Sequence, residues 1–272
     1  MKTLPVGLQL YTVRDEMAKS VPETLKAVKN AGYDYVEPAG IFGLSGEQFR
    51  EELDKAGLCA VCAHVPIEEI LKNPEGVLET YKVIGCKYLA VPFLGTGQRY
   101  GDDGFDEIMA GMASFGELCY KGGVTLVYHN HDFEFEKTND GRYVLDYMYD
   151  MVKPEYLQAE LDTCWVNIGG EEPAEYIVKY TGRCPVVHLK DFVGSKTQNM
   201  YALIGTDEAK EEKSEAFAFR PVGSGKQNFP AILEASIKAG AEYVIVEQDS
   251  TYDIPCLEAA KMSRDYLKSL GW

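Results

Sequence analysis

Short apolar runs separated by amphipathic stretches repeat along the whole chain, and this alternation is its dominant pattern. Eight runs have the length and the β-branched or aromatic character of buried strands: 5–11 (PVGLQLY), 34–38 (DYVEP), 58–65 (LCAVCAHV), 87–94 (KYLAVPFL), 124–130 (VTLVYHN), 157–162 (LQAELD), 184–191 (CPVVHLKD) and 242–249 (EYVIVEQD). Between them, apolar residues at helical spacing predict helices over 21–32, 46–57, 67–85, 106–123, 229–240 and 254–272. Several of these stop at a glycine, as a left-handed C-cap requires before the chain turns into the next strand. Eight strands alternating with helices predict an α/β protein, a (β/α)8 TIM barrel, with a doubly wound sheet as the alternative. No composition shift marks a second domain, so residues 1–272 are expected to form one barrel. One segment breaks the rhythm: residues 192–227 are charged, contain Gly and Ser, and are too long for a routine connection. On a barrel this insertion is expected to lie over the active face, as a lid or a partner contact.

The polar exceptions within the apolar runs carry the chemistry. The chain has four histidines, and each falls at or near the end of a run: His64 in AVCAHVP, His129 and His131 in TLVYHNHD, and His188 in PVVHLKD. Glu160 and Asp162 end ELD, and Glu247 and Asp249 end VEQD. Strand C-termini of a parallel α/β fold share one face, and that face holds the active site. Residues two apart on a strand point the same way, so Glu160 with Asp162, His188 with Lys190, His129 with His131 and Glu247 with Asp249 each offer two polar groups to one side. Buried ion pairs or helix caps would account for any one pair alone. His, Asp and Glu gathered on successive strand ends are the ligand set of a divalent metal.

Composition narrows the rest. A hydrophobic content of 46% suits a folded domain with a substantial core, and no apolar run is long enough to span a bilayer. The N-terminus enters strand-like sequence without a signal-peptide pattern, and the cytoplasm is the expected location. Seven cysteines form an odd set with no disulfide spacing. Cys59 and Cys62 make a CxxC, but residues three apart on a strand face opposite ways, so core cysteine is the better reading. A net charge of −16 argues against nucleic acid and anionic membranes as partners. GTGQRYG (95–101) has the wrong spacing for a dinucleotide loop. GSGKQ (223–227) lacks the upstream glycine and the following Ser/Thr of a phosphate loop, although the amides of RPVGSG remain candidates for a substrate phosphate or hydroxyl. Gln9 and Tyr11 are candidate pocket residues at the end of the first run.

With these strand ends in place, the chain resembles the xylose isomerase-like barrel superfamily, and most of all its sugar phosphate isomerase/epimerase branch. The resemblance runs through GLQLYTVRD, AHV, YHNHDFEF, ELDTCW, HLKD and EQD. It implies a divalent metal, Mn²⁺ first, with Co²⁺, Mg²⁺ or Zn²⁺ as alternatives, held by four residues from four strands. Asp162, His188 and Glu247 match the last three ligands. For the first, where the epimerases place a glutamate at the end of the fifth strand, Glu134 is preferred and His129 is the fallback. The resemblance further implies proton abstraction beside a carbonyl of a small carbohydrate. His131 is the expected base, Glu247 and Lys190 are expected to take part, and Gln9, Tyr11, His64, His129 and Arg220 are expected to bind substrate. Isomerisation or epimerisation leads. Elimination, as in inosose dehydratases and lyases that cleave C-glycosides from keto sugars, is the alternative. Metal-dependent apurinic-site endonucleases share the superfamily, but the acidic charge argues against that role. A non-catalytic subunit of a hetero-oligomer, using 192–227 as its contact, is a third class, and a homo-oligomer is also open.

Overall fold

The computed structural model describes residues 2–197, 200, 217–252 and 254–272. Among them, eight parallel strands form one curled sheet: β1 (Val6–Gln9), β2 (Tyr35–Glu37), β3 (Cys59–Ala60), β4 (Tyr88–Val91), β5 (Thr125–His129), β6 (Gln158–Asp162), β7 (Val186–Leu189) and β10 (Tyr243–Val246). Neighbours follow the order β3-β2-β1-β10-β7-β6-β5-β4. The two ends of that order meet through His64, which bridges Ala39 on one side and Ala90 on the other. The backbone amides of Tyr88 and Ala90 donate to the carbonyls of Val61 and Ala63, so the sheet closes on itself. The expected single barrel is therefore the observed fold.

Inward and outward positions alternate as strand geometry requires. Tyr128, Ala159, Leu161, Val187, Leu189, Val244 and Val246 pack outward in the main core under the helices. Val61, Cys62, Tyr88, Ala90, Val127, Val186 and Ile245 form a separate cluster that fills the barrel. Gly7 faces this interior where no side chain fits, since a Cβ there would lie 2.6 Å from the Ile245 side chain. Cys59 is exposed and Cys62 buried, as their opposite parity demands, and all seven cysteines are free.

The outer layer comprises α1 (Arg14–Lys19), α2 (Val21–Asn30), α3 (Gly46–Ala56), α4 (Ile67–Lys72), α5 (Pro74–Ile84), α6 (Phe105–Lys121), α7 (Val144–Met151), α8 (Thr163–Ile168), α9 (Pro173–Lys179), α10 (Phe229–Ala239) and α11 (Cys256–Ser269). The single helix expected over 67–85 is two. Pro74 cannot continue α4, and Asn73 restarts the helix by accepting the Gly76 amide at 3.2 Å. Of the 192–227 insertion, residues 198–199 and 201–216 lie outside the described residues. Its flanks form an antiparallel ribbon of β8 (Asp191–Gly194) and β9 (Phe217–Arg220), with Asp191 opposite Arg220. Phe192, Phe217 and Phe219 of the ribbon pack with Cys164 and Trp165 of α8 in a cluster of their own. No helix among the described residues is long and apolar enough to cross a membrane.

Candidate metal centre

The inward parity that fills the lower barrel with Val, Ile and Ala delivers polar groups at the upper rim. Continued past the strand ends, it places His129 and His131 after Val127, His188 and Lys190 after Val186, and Glu247 and Asp249 after Ile245. All six are buried, together with Glu37, Glu160 and Asp162. Register brings them side by side: His129 pairs with Glu160, and Asp162 with His188.

Two histidines divide their ring nitrogens in the same manner, though with opposite nitrogens inward. His188 turns Nδ1 to Glu247 Oε2 at 3.1 Å and Nε2 to Glu37 Oε2 at 2.6 Å. His129 turns Nε2 toward Asp162 Oδ2 (3.7 Å) and Glu247 Oε2 (3.9 Å), and its Nδ1 contacts Glu160 Oε1 at 3.2 Å. Each imidazole thus gives one nitrogen to a common centre and the other to a buried carboxylate, the arrangement that fixes the tautomer of a metal-ligating histidine. One donor atom from each of His129, Asp162, His188 and Glu247 lies within 4.8 Å of all the others. The Asp162 carboxylate is divided: Oδ1 caps α8 by accepting the Trp165 amide at 3.0 Å, and buried Oδ2 accepts no hydrogen bond of good geometry, facing His129 Nε2 at 3.7 Å and the Lys190 ammonium at 3.2 Å. An anionic oxygen turned to the centre in this way, in a set of two imidazoles and two carboxylates, fits a divalent cation.

Glu134, the preferred first ligand in the sequence reading, is placed elsewhere. A 3-10 turn over Phe133–Phe135 folds its carboxylate back, where Oε1 accepts from the Tyr128 hydroxyl at 2.5 Å and Oε2 from the His131 amide at 2.8 Å. Burial pushes this carboxyl up to about 8. His129, the fallback, is the residue that joins Asp162, His188 and Glu247.

The remaining groups line a cavity of about 360 Å³ above the centre, walled by Tyr11, His64, Phe93, His131, Lys190 and Asp249 among others. The Lys190 ammonium is enclosed by Asp162 (3.2 Å), Glu247 (2.9 Å) and Asp249 (2.9 Å). Burial works against its charge, but these three carboxylates outweigh it and hold its pKa well above the usual lysine value. Burial pushes the Asp249 carboxyl up to about 6. His131 packs against Phe93 and Trp165, each ring centroid 5.0 Å away. Burial, with the Lys190 charge and the His129 ring nearby, drives its pKa well below the ordinary histidine value, so the ring is neutral.

Of the expected substrate-binding residues, Tyr11, His64 and His129 line this cavity. Gln9 lies buried beneath Tyr11, whose amide donates to its Oε1 at 2.9 Å. Arg220 sits on the ribbon, gives its guanidinium to the Phe219 carbonyl and the Tyr252 ring, and is not part of the lining. The amides of RPVGSG are not directed to a substrate. Asp191 accepts from Gly223 (3.0 Å), Gly225 (2.7 Å), Gln227 (3.2 Å) and its neighbour Phe192 (2.9 Å). A Cβ at Gly225 would overlap the Asp191 carboxylate and the Phe192 carbonyl, which accounts for glycine there.

Glu37 and Glu160 are the functional positions the sequence reading missed or left unassigned. Glu160 contacts His64 Nε2 at 2.7 Å as well as His129, and Cys62 Sγ donates to its other oxygen at 3.2 Å. Burial opposes ionisation of Glu160, yet His188 and His64 together hold its pKa well below the usual carboxylate range. Glu37 ends a three-residue strand, and its parity with Tyr35 inside the barrel was the signal available.

A closed parallel barrel with a four-donor centre at its strand C-termini defines the class. A family model for the xylose isomerase-like TIM barrel matches residues 25–270, and the chain belongs to that family. It is 25% identical over 191 residues to an inosose dehydratase of Geobacillus kaustophilus, a match covering 62% of this chain and 61% of that relative's length. A sugar phosphate isomerase/epimerase from Parabacteroides distasonis has a similar structure, with TM-score 0.77 and 20% identity over 99% of this chain and 95% of that one. A probable 3-DHS dehydratase from Bacillus anthracis aligns with TM-score 0.73 and 10% identity, covering 97% of this chain and 99% of the other.

Proposed function

We propose that the protein is a divalent-metal-dependent enzyme that removes the proton beside a carbonyl of a small carbohydrate or cyclitol, with loss of water as the outcome. His129, Asp162, His188 and Glu247 would hold the metal, Mn²⁺ first among the candidates. A divalent cation there supplies Lewis-acid polarisation of a substrate oxygen. The observation that carries the reading is the paired orientation of His129 and His188, each with one nitrogen on a buried carboxylate and the other facing Asp162 and Glu247.

The chain's own groups divide the proton work. Neutral His131, packed against Phe93 and Trp165, accepts the carbon-bound proton at a ring nitrogen. Lys190, paired with the Asp249 carboxylate, is the proton donor lining the same cavity. The ammonium donates to a developing oxyanion or to a departing hydroxyl, and the Asp249 carboxylate holds it in place at 2.9 Å. A neutral base together with an ammonium donor in one cavity suits elimination. Isomerisation or epimerisation is the second reading, supported by Glu247 as a carboxylate at the same centre. The symmetrical two-glutamate arrangement is weakened here, because His129 stands where the epimerases place the other carboxylate. A reducing compartment, the cytoplasm, fits seven free cysteines.

The test is incubation of the metal-loaded protein with keto-inositols and ketoses in D₂O, followed by NMR. Deuterium exchange at the carbon beside the carbonyl, lost in His131→Asn, supports the reading, and an unsaturated product identifies elimination. No exchange and no product with any carbonyl substrate overturns it.

A further inference from the structure

We infer that the cavity above the metal centre takes an unphosphorylated, carbonyl-bearing polyol of monosaccharide size and rejects its phosphate ester. This rests on the proposed reaction and names its substrate class. In (β/α)8 enzymes a substrate phosphate commonly binds to backbone amides of the loops after the seventh and eighth strands. Here the loop that returns from the ribbon after β7 closes its amides on a side chain of the protein itself. Asp191 accepts from Gly223, Gly225, Gln227 and Phe192, an internal anion where a phosphate would otherwise sit. Gly225 leaves no room for a second anion, because even a Cβ would meet the Asp191 carboxylate.

Charge around the cavity points the same way. Glu69 and Asp249 line it with Glu247, and Lys190, its cationic lining residue, is already surrounded by three carboxylates. A dication at the proposed ligands, together with Lys190, balances Asp162, Glu247 and Asp249. The exposed Glu69 then remains as negative charge at the rim. Among the described residues, three cations of the surrounding loops are engaged. Arg14 gives Nη1 to the carbonyls of Tyr11 and Asp249, Arg99 gives Nε to Leu94 and lies on Phe133, and Lys196 pairs with Asp132 at 2.6 Å. A phosphate carries close to two negative charges at neutral pH, and burying it beside like charges, with these cations and amides of the described residues already engaged, is strongly unfavourable. The walls instead present Phe93, Pro92, Pro66 and Tyr11, apolar faces suited to the C–H faces of a sugar ring. At about 360 Å³ the cavity is at the small end of the range for small-molecule sites, roughly 300–1,000 Å³.

The experiment compares matched pairs, each a ketose or keto-inositol with its own phosphate ester, in the deuterium-exchange assay on the metal-loaded protein. At least a 100-fold preference in kcat/KM for the neutral member supports the inference. A phosphate ester used equally well or better overturns it while leaving proton abstraction intact. Exchange with neither member of any pair removes the underlying reaction, and this inference with it. Glu69→Lys provides a second measurement: it is expected to raise the affinity for the phosphate esters at least tenfold. An unchanged ratio between ester and neutral sugar would contradict the electrostatic basis.

Discussion

Replacing Glu160 with glutamine removes one charge from beneath the candidate metal centre while keeping side-chain size. Glu160 is fully buried, and its Oε1 lies 3.2 Å from His129 Nδ1 and 2.7 Å from His64 Nε2. As an acceptor it holds the proton of His129 on Nδ1 and leaves the lone pair on Nε2, facing Asp162 and Glu247. A glutamine presents one acceptor oxygen and one NH₂ group, so either His129 or Cys62 meets a donor instead of an acceptor. Losing such a partner weakens metal affinity by about 10–100-fold, which corresponds to about 1.4–2.7 kcal/mol at 25 °C. The assay is competition with a fluorescent chelator for Mn²⁺ and Zn²⁺, on protein whose folding is checked by circular dichroism. The variant should keep its fold and bind both metals at least tenfold more weakly. Binding within twofold of the parent would refute the positioning role of Glu160.

Three further outcomes follow from other contacts. His131→Asn should leave metal content unchanged and lower kcat by roughly 10²–10⁴-fold, measured by deuterium exchange. Loss of the metal as well would make His131 part of the centre rather than the base. Asp191→Ala removes the acceptor of four backbone amides, and the fold should lose about 3 kcal/mol or more in urea melts; a change below about 0.5 kcal/mol would contradict the anchoring role. Burial raises the Glu134 carboxyl from its ordinary 4.5 to about 8 in the folded state. The folded protein therefore binds that proton more tightly, and its contribution is present at acid pH and lost as pH rises through this window, by up to about 1.4 kcal/mol per unit. Glu134→Gln should grow more stable relative to the parent from pH 5 to pH 8, and a flat difference would refute the assignment.

The barrel was legible because its strands obey a period of two and its helices a period near four over stretches long enough to register. The same parity, run past the strand ends, marked Asp162, His188, Lys190 and Glu247 in advance. Parity set His129 with His131 and Glu134 on the other side, yet the resemblance to the epimerases favoured Glu134, whose placement depends on a one-turn 3-10 segment with no periodic signature. Only the fold shows the Glu134 carboxylate taken up by Tyr128 and the His131 amide. Glu37 escaped notice for a related reason: one glutamate closing the three-residue strand Tyr35–Glu37 carries little pattern, and its partner His188 is 151 positions away. The amides of the Gly-Ser-Gly loop looked available in sequence, since nothing local announces that Asp191, more than thirty positions earlier, accepts them. The short helices α8 and α9, of six and seven residues, gave too few turns for a pattern to emerge.

Metal content, measured by plasma mass spectrometry on the wild-type protein, His188→Ala and Glu247→Gln, tests the central claim most directly. Near-stoichiometric divalent metal in the wild type, lost from both folded variants, is the predicted result. Wild-type protein that stays empty after incubation with Mn²⁺, Co²⁺, Mg²⁺ and Zn²⁺, or folded variants that keep the metal, would contradict the account.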